Sequence, residues 1–151
     1  MDIDLKFDNR NDRLLISLNE GSNDLNWWLT RRITLRLIKA WAEKLELVGL
    51  PKIDAYNQNY PRDISLEHKL SLEFDGPKPK KETRKTVQVI HLVEEINISV
   101  SSLGCQLQFK SKNKDASFNI TRMQSHAILE MLSSVVKKAQ WLDKVEWPKW
   151  L

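Results

Sequence analysis

Between about Leu25 and Leu47 the chain contains neither glycine nor proline, and that unbroken stretch most constrains what it can fold into. Set out at about 100° per residue, Trp27, Leu29, Ile33, Leu35, Leu37, Ile38, Ala40, Trp41, Ala42 and Leu45 cover well over half of the circumference. Arg32, Arg36, Lys39 and Glu43 form the polar stripe. So wide an apolar face predicts a helix packed on more than one side, the central helix of a domain. Asn19-Glu20-Gly21-Ser22-Asn23-Asp24 offers Ser22 or Asn23 as its cap, and Gly49 with Pro51 stops it. Arg31 falls inside the apolar arc, so it must pair, snorkel or contact another group.

Strand patterns flank this helix. Ile3, Leu5 and Phe7 alternate with Asp2, Asp4 and Lys6, and Leu14, Ile16 and Leu18 alternate with Arg13, Leu15 and Ser17. With Asn9-Arg10-Asn11-Asp12 between them, the two runs predict a β-hairpin. Residues 51–62 read as loop. From Ile64 to Phe74 apolar and polar residues alternate, which favours a strand, yet Leu, Glu, Lys and His prefer a helix, and Asp63 could cap one. A basic loop follows at 75–86, carrying Lys78, Lys80, Lys81, Arg84 and Lys85. Three β signals come next: Val87 to Val100, with a phase shift near Glu94-Glu95 that means two strands or one bulged strand, then Cys105 to Lys110 and Ala116 to Thr121. Thr121 and Gln124 fit a capping box for a helix from about Arg122 to Leu142, with Ile128, Leu129, Met131, Leu132, Val135, Val136 and Ala139 on its apolar face and His126, Glu130, Ser133, Ser134, Lys137 and Trp141 opposite. The chain thus reads as a single α+β domain over residues 1–151, an antiparallel sheet of about five strands with two long helices packed on one face. Its last segment, 143–151, is a tryptophan-rich tail.

Motifs that carry chemistry are mostly missing from the sequence. The four glycines all fall at predicted turns or helix ends, so no glycine-rich phosphate loop is present. His68, His91 and His126 include no two at metal-ligand spacing, and the single Cys105 has no partner for a disulfide or a metal pair. His126 and Glu130, one turn apart, read as a solvated pair on an exposed face, and no nucleophile is nominated beside them. These observations predict no catalytic residues, no cofactor and no metal. The formal charge of +4 is mild, and the basic groups Arg32/Arg36/Lys39, Lys78 to Lys85 and Lys110/Lys112/Lys114 are diluted by Glu43, Glu82 and Asp115. Without interleaved aromatics they offer a nucleic-acid surface only as an alternative. No stretch reaches the about 18 apolar residues of a membrane span, and the start lacks the pattern of a signal peptide, so the expected setting is cytoplasmic.

Tryptophan is the least ordinary feature. Trp147 and Trp150 lie in Val-Glu-Trp-Pro-Lys-Trp-Leu, where Pro148 denies the tail a continued helix. Either the tail folds back and plugs the core, or it presents aromatic anchors to another protein.

The run Trp28-Leu29-Thr30-Arg31-Arg32-Ile33-Thr34-Leu35 resembles the Trp-Leu-Thr-Arg-Arg-x-Thr-Leu helix of a set of small, uncharacterised bacterial proteins. Glu67-His68-Lys69 is similar to a Glu-His-Gln in a helical stretch of that set, which tips residues 63–74 toward helix. The resemblance implies a bacterial source and no particular activity. Together these readings favour a non-enzymatic protein-interaction or structural module whose partner is protein, either self or other, with a nucleic-acid-associated accessory protein as the alternative and an enzyme with a cryptic site around His68 or Arg31 and Arg32 as the third reading. Trp147, Trp150, Arg31, Arg32, Glu67 and His68 are the candidate contact residues.

Overall fold

A computed structural model describes residues 2–20, 23–48, 64–75, 90–141 and 147–151. The chain order is β1 (Asp2–Asp8), β2 (Arg13–Glu20), β3 (Asn23–Thr30), α1 (Arg31–Leu47), α2 (Ile64–Asp75), β4 (Ile90–Leu92), β5 (Glu95–Val100), β6 (Gly104–Lys110), β7 (Asp115–Thr121) and α3 (Arg122–Lys138). The fold is α+β, but the strands form two sheets rather than one. A four-stranded sheet has the order β1-β2-β3-β4, and a three-stranded sheet has the order β5-β6-β7. Among the described residues three helices accompany them, α2 beside the two long ones, and β4 runs parallel to β3 in a sheet expected to be antiparallel throughout. The expected caps at Ser22 and Asp63, the stops at Gly49 and Pro51, the 51–62 loop and the basic loop lie wholly or almost wholly outside the described residues, as do residues 142–146 of the tail.

The predicted hairpin is present. Phe7 opposes Leu14 and Leu5 opposes Ile16. In its turn the Asp8 carboxylate accepts from the Arg10 backbone and the Asn11 side chain. The stretch expected to be one helix from Leu25 is a strand followed by a helix. Trp27 and Leu29 are buried opposite Ile16 and Leu14, while Asn26, Trp28 and Thr30 are half-buried. That is a period of two hidden inside an apolar run. Neither glycine nor proline makes the break. Thr30 does, its hydroxyl accepting from the Ile33 backbone N–H as the N-cap of α1. From there Thr34, Leu37, Ile38, Trp41, Ala42 and Leu45 recur at helical spacing and are buried.

The segment at 64–75 is helical, in agreement with its composition and against its alternation. The phase shift at Glu94-Glu95 marks a change of sheet. Val93 N donates to Trp28 O at 3.0 Å in the first sheet, and Glu94 N donates to Lys110 O at 2.8 Å in the second. Ser101 and Ser111 close the next two turns by accepting from the backbone N–H groups of Gly104 and Lys114. Gly104 is required where it stands, because a Cβ there would lie 2.9 Å from the Ile120 carbonyl oxygen.

The capping box of α3 forms as expected, with Thr121 and Gln124 bonding reciprocally. Its end differs. The helix stops at Lys138, and Gln140 takes φ 60° so that its own N–H reaches Lys137 O and that of Trp141 reaches Val136 O. This is a Schellman closure with glutamine in the place glycine usually fills. Trp141, expected on the polar side, is 1% exposed: it stacks edge-on against Phe7 and donates from Nε1 to Asp12 Oδ1 at 2.7 Å. The α3 face read as solvated is buried too, at His126 and Ser133. Helix α3 packs against α2, α1, β1, β6 and β7, which cover His126 and Ser133 and leave Ser134 and Lys137 of that face exposed. Trp27, Trp41, Trp141 and Phe109 are the bulkiest side chains of the core.

Candidate functional site: a buried ion and imidazole chain

Arg122 opens α3 although a cation is disfavoured at a helix N-terminus. The rest of its surroundings explain why it is there. Its guanidinium lies at the C-terminal end of α1 and donates to Leu45 O (3.1 Å) and Val48 O (2.6 Å), where the helix dipole favours positive charge. It also donates to Ser101 O (3.2 Å) and, in a two-pronged pair, to both oxygens of Glu67 (3.0 and 3.1 Å). All five guanidinium N–H groups are therefore used. One side chain ties α1, α2, α3 and the β5–β6 turn together.

Glu67 extends the chain. Its Oε2 is also hydrogen-bonded to His126 Nε2. His126 Nδ1 faces His68 Nδ1 at 2.9 Å, and His68 Nε2 lies 3.0 Å from Glu130 Oε2. Glu67, His68, Arg122 and His126 are buried, while the Glu130 side chain is 37% exposed and forms the outer end. The Trp150 ring stands edge-on to both imidazoles, with centroids at 5.3 Å from His68 and 5.7 Å from His126.

Burial alone would raise the Glu67 carboxyl, but the hydrogen bond and charge of His126, together with Arg122, outweigh it and hold the group below its ordinary value. For His68 burial is the main influence and lowers its pKa. The charge of His126 adds to this, and the bond to Glu130 opposes it without overcoming it.

Hydrogen-bond accounting then fixes the protons. Both Nε2 atoms face carboxylates and must donate. The two Nδ1 atoms face each other and can share only one hydrogen. Four ring nitrogens therefore hold three protons, and the pair carries one positive charge. With Arg122 and the two carboxylates the cluster sums to zero. The lowered pKa of His68, caused mainly by its burial, favours that ring as the neutral one of the pair.

Of the residues singled out in the sequence, Glu67, His68 and Trp150 meet here. Trp147 is half-buried and packs against the core. Arg31 answers the demand for a partner elsewhere, donating to Trp141 O at 3.4 Å, and Arg32 is exposed on α1. The sequence reading missed Arg122, and it treated His126 and Glu130 as solvated. A cation at the first position of a capped helix was the signal available for Arg122. His68 and His126 are 58 positions apart, so no local spacing could have joined them.

The arrangement is a chain rather than a convergent cluster: each imidazole spends its two nitrogens on two different neighbours. Among the described residues no group of three or more His, Cys, Asp and Glu is disposed around a common point for a metal. Cys105 is buried and accepts from Ser125 Oγ at 3.0 Å. A shallow depression of about 540 Å³ lies between the β5–β6 turn and the end of β7, lined among others by Ser99, Gln106 and Asn119. No described helix is long and apolar enough to cross a membrane. Compared with protein-family models, curated proteins and solved structures, the chain matches none.

Proposed function

We propose that this protein is a non-enzymatic interaction or structural module that works in the cytoplasm. The observation that carries the reading is the closed state of the Glu67–His126–His68–Glu130 chain. A general base needs a ring nitrogen within reach of a substrate proton. Here all four ring nitrogens are bonded within the protein, and the Trp150 indole stands against both rings. A single buried thiol without a disulfide suits a reducing compartment. Contact with a protein partner draws support from Leu66 and Leu70, which lie one turn apart and exposed on α2. The position of Trp150 favours a tail that serves the fold over one that reaches outward as an anchor.

Acylation of histidine by diethyl pyrocarbonate at neutral pH tests the closed state. His68 and His126 are expected to stay unmodified in the folded chain and to react only after denaturation. Rapid modification of either ring with the fold intact would mean an accessible base and would sink the reading.

A second reading, association with nucleic acid, is favoured by Arg32, Arg36 and Lys39, which are all exposed along α1. Filter binding across a salt series decides it: phosphate contacts require affinity to fall steeply as salt rises.

A further inference from the structure

Helix α2 is seated on the fold by its polar side. Glu67, His68 and Ser71 are buried, whereas Leu66 and Leu70 are 40% and 38% exposed. Ile64 adds a partly buried apolar contact. Among the side chains of α2 described, the most buried are polar, and Leu72 like Ile64 is half-buried. The bonds from His68 to His126 and Glu130, and from Glu67 to Arg122 and His126, tie this polar side to α3, and the links between the rings and the carboxylates depend on protonation.

We propose that the His68–His126 pair is an acid-operated latch: one shared proton holds α2 against α3, and a second proton drives the rings apart, releasing α2 and the Trp150 ring while the apolar core stays assembled. With four protons on the two rings, both Nδ1 atoms carry hydrogen and point at each other across 2.9 Å. Neither can accept, and two positive rings face each other where water screens little.

Among the described residues, the charged groups bonded to the pair or to its partners come from α2 and α3. Helix α2 supplies Glu67, and α3 supplies Glu130 and Arg122. The α1 end and the β5–β6 turn contribute the carbonyls of Leu45, Val48 and Ser101, and the tail contributes the Trp150 indole, none of which titrates here. The two carboxylates favour the extra proton, whereas Arg122, the neighbouring ring and burial oppose it. The latch thus opens on the acid side of the ordinary histidine range. Opening stays local because Trp27, Trp41, Phe109 and Leu129, fully buried in the core, carry no ionisable group.

Hydrogen exchange followed by mass spectrometry on the full chain, from about pH 7.5 to about pH 5 and corrected for the chemical exchange rate, reads the opening directly. Amides of α2 are expected to lose protection by about tenfold per pH unit once the second proton binds, the limit for one linked proton. Amides of β2 and β3 keep theirs. The His68→Gln variant keeps an N–H donor toward Glu130 but cannot take the second proton, so its α2 protection should be flat across the same range. Unchanged α2 protection down to about pH 5 in the wild-type chain overturns the proposal, as does loss of α2 together with β2 and β3 in one global transition. An unaltered slope in His68→Gln overturns it too. Should that variant not fold, the wild-type series alone still separates a local opening from the other two outcomes.

Discussion

Glu67→Gln is the sharpest probe of the buried chain, because it removes one charge and almost no volume. In the native protein the Glu67 carboxylate accepts two hydrogen bonds from Arg122 and one from His126. Glutamine keeps one carbonyl oxygen, so at most part of the Arg122 fork is satisfied, and its NH2 meets a donor, either a guanidinium N–H or the His126 Nε2–H. Arg122 is 6% exposed and His126 is fully buried, so water cannot take over the lost role. Breaking a buried ion pair from one side costs about 3–5 kcal/mol, and the retained carbonyl and the α1 carbonyls around Arg122 place this case near 3. For a chain of this length that corresponds to a fall in Tm of about 6–12 °C. Urea denaturation at pH 7 measures it, with an unchanged slope showing that both states keep their compactness. Adding Arg122→Met should return part of the loss, since the second change removes the stranded charge, although it also strips three carbonyls of their donor. A Glu67→Gln cost below about 1 kcal/mol, the range of exposed pairs, would refute the claim that this network is buried and fully paired.

Four further outcomes follow from the same structure. The His68 pKa lies below its ordinary 6.5 in the folded state, so the unfolded chain binds more protons and stability falls as pH drops below about that value. Glu67 lies below its ordinary 4.5, so its contribution is complete above that pH and is lost as pH falls through the lower folded value. A series of thermal melts should therefore decline in two acid stages. Gln140→Gly relieves a side chain at φ 60° and should stabilise by about 0.5–1 kcal/mol in the same melts; a loss would contradict the Schellman geometry. Gly104→Ala should destabilise by about 1–3 kcal/mol, because the new Cβ meets a backbone oxygen that cannot rotate away. Trp141→Phe keeps the ring against Phe7 but deletes the donor to Asp12, for a cost of about 1–2 kcal/mol by urea titration.

The parts of this fold that could be read in advance are those whose signal is local. The first hairpin, the capping box at Thr121 and the break near Glu94 each rest on a few adjacent residues. The β3–α1 boundary was not legible, because Trp27 and Leu29 satisfy a strand and a helix alike. What separates the two is pairing with Ile16 and Leu14, which no window over β3 contains. Counting apolar residues in 64–75 points the wrong way because the buried side chains described on α2, Glu67, His68 and Ser71, are polar. The candidate site was legible in part for the same reason. Glu67, His68 and Trp150 stood out as unexplained, but their partners Arg122 and His126 come from a helix more than fifty positions later than Glu67 and His68. A solvated histidine and a buried one look identical in sequence. Only the meeting of α2 with α3 distinguishes them.

The handover at Val93 and Glu94 bears on the order in which the molecule is built. The first three strands are neighbours in sequence and can pair as soon as they are made. The fourth place in their sheet stays open until the chain has passed α1 and α2 and reached Ile90. Closing it is a long-range step, slow by the measure of sequence separation. Residue 93 finishes the first sheet and residue 94 begins the second, so the same docking event also positions the strand on which β6 and β7 assemble. During synthesis the amino-terminal meander would therefore wait, with its β3 edge unpaired, for a segment some sixty residues downstream. A ribosome pause just short of residue 90 would hold the nascent protein at its most adhesive stage.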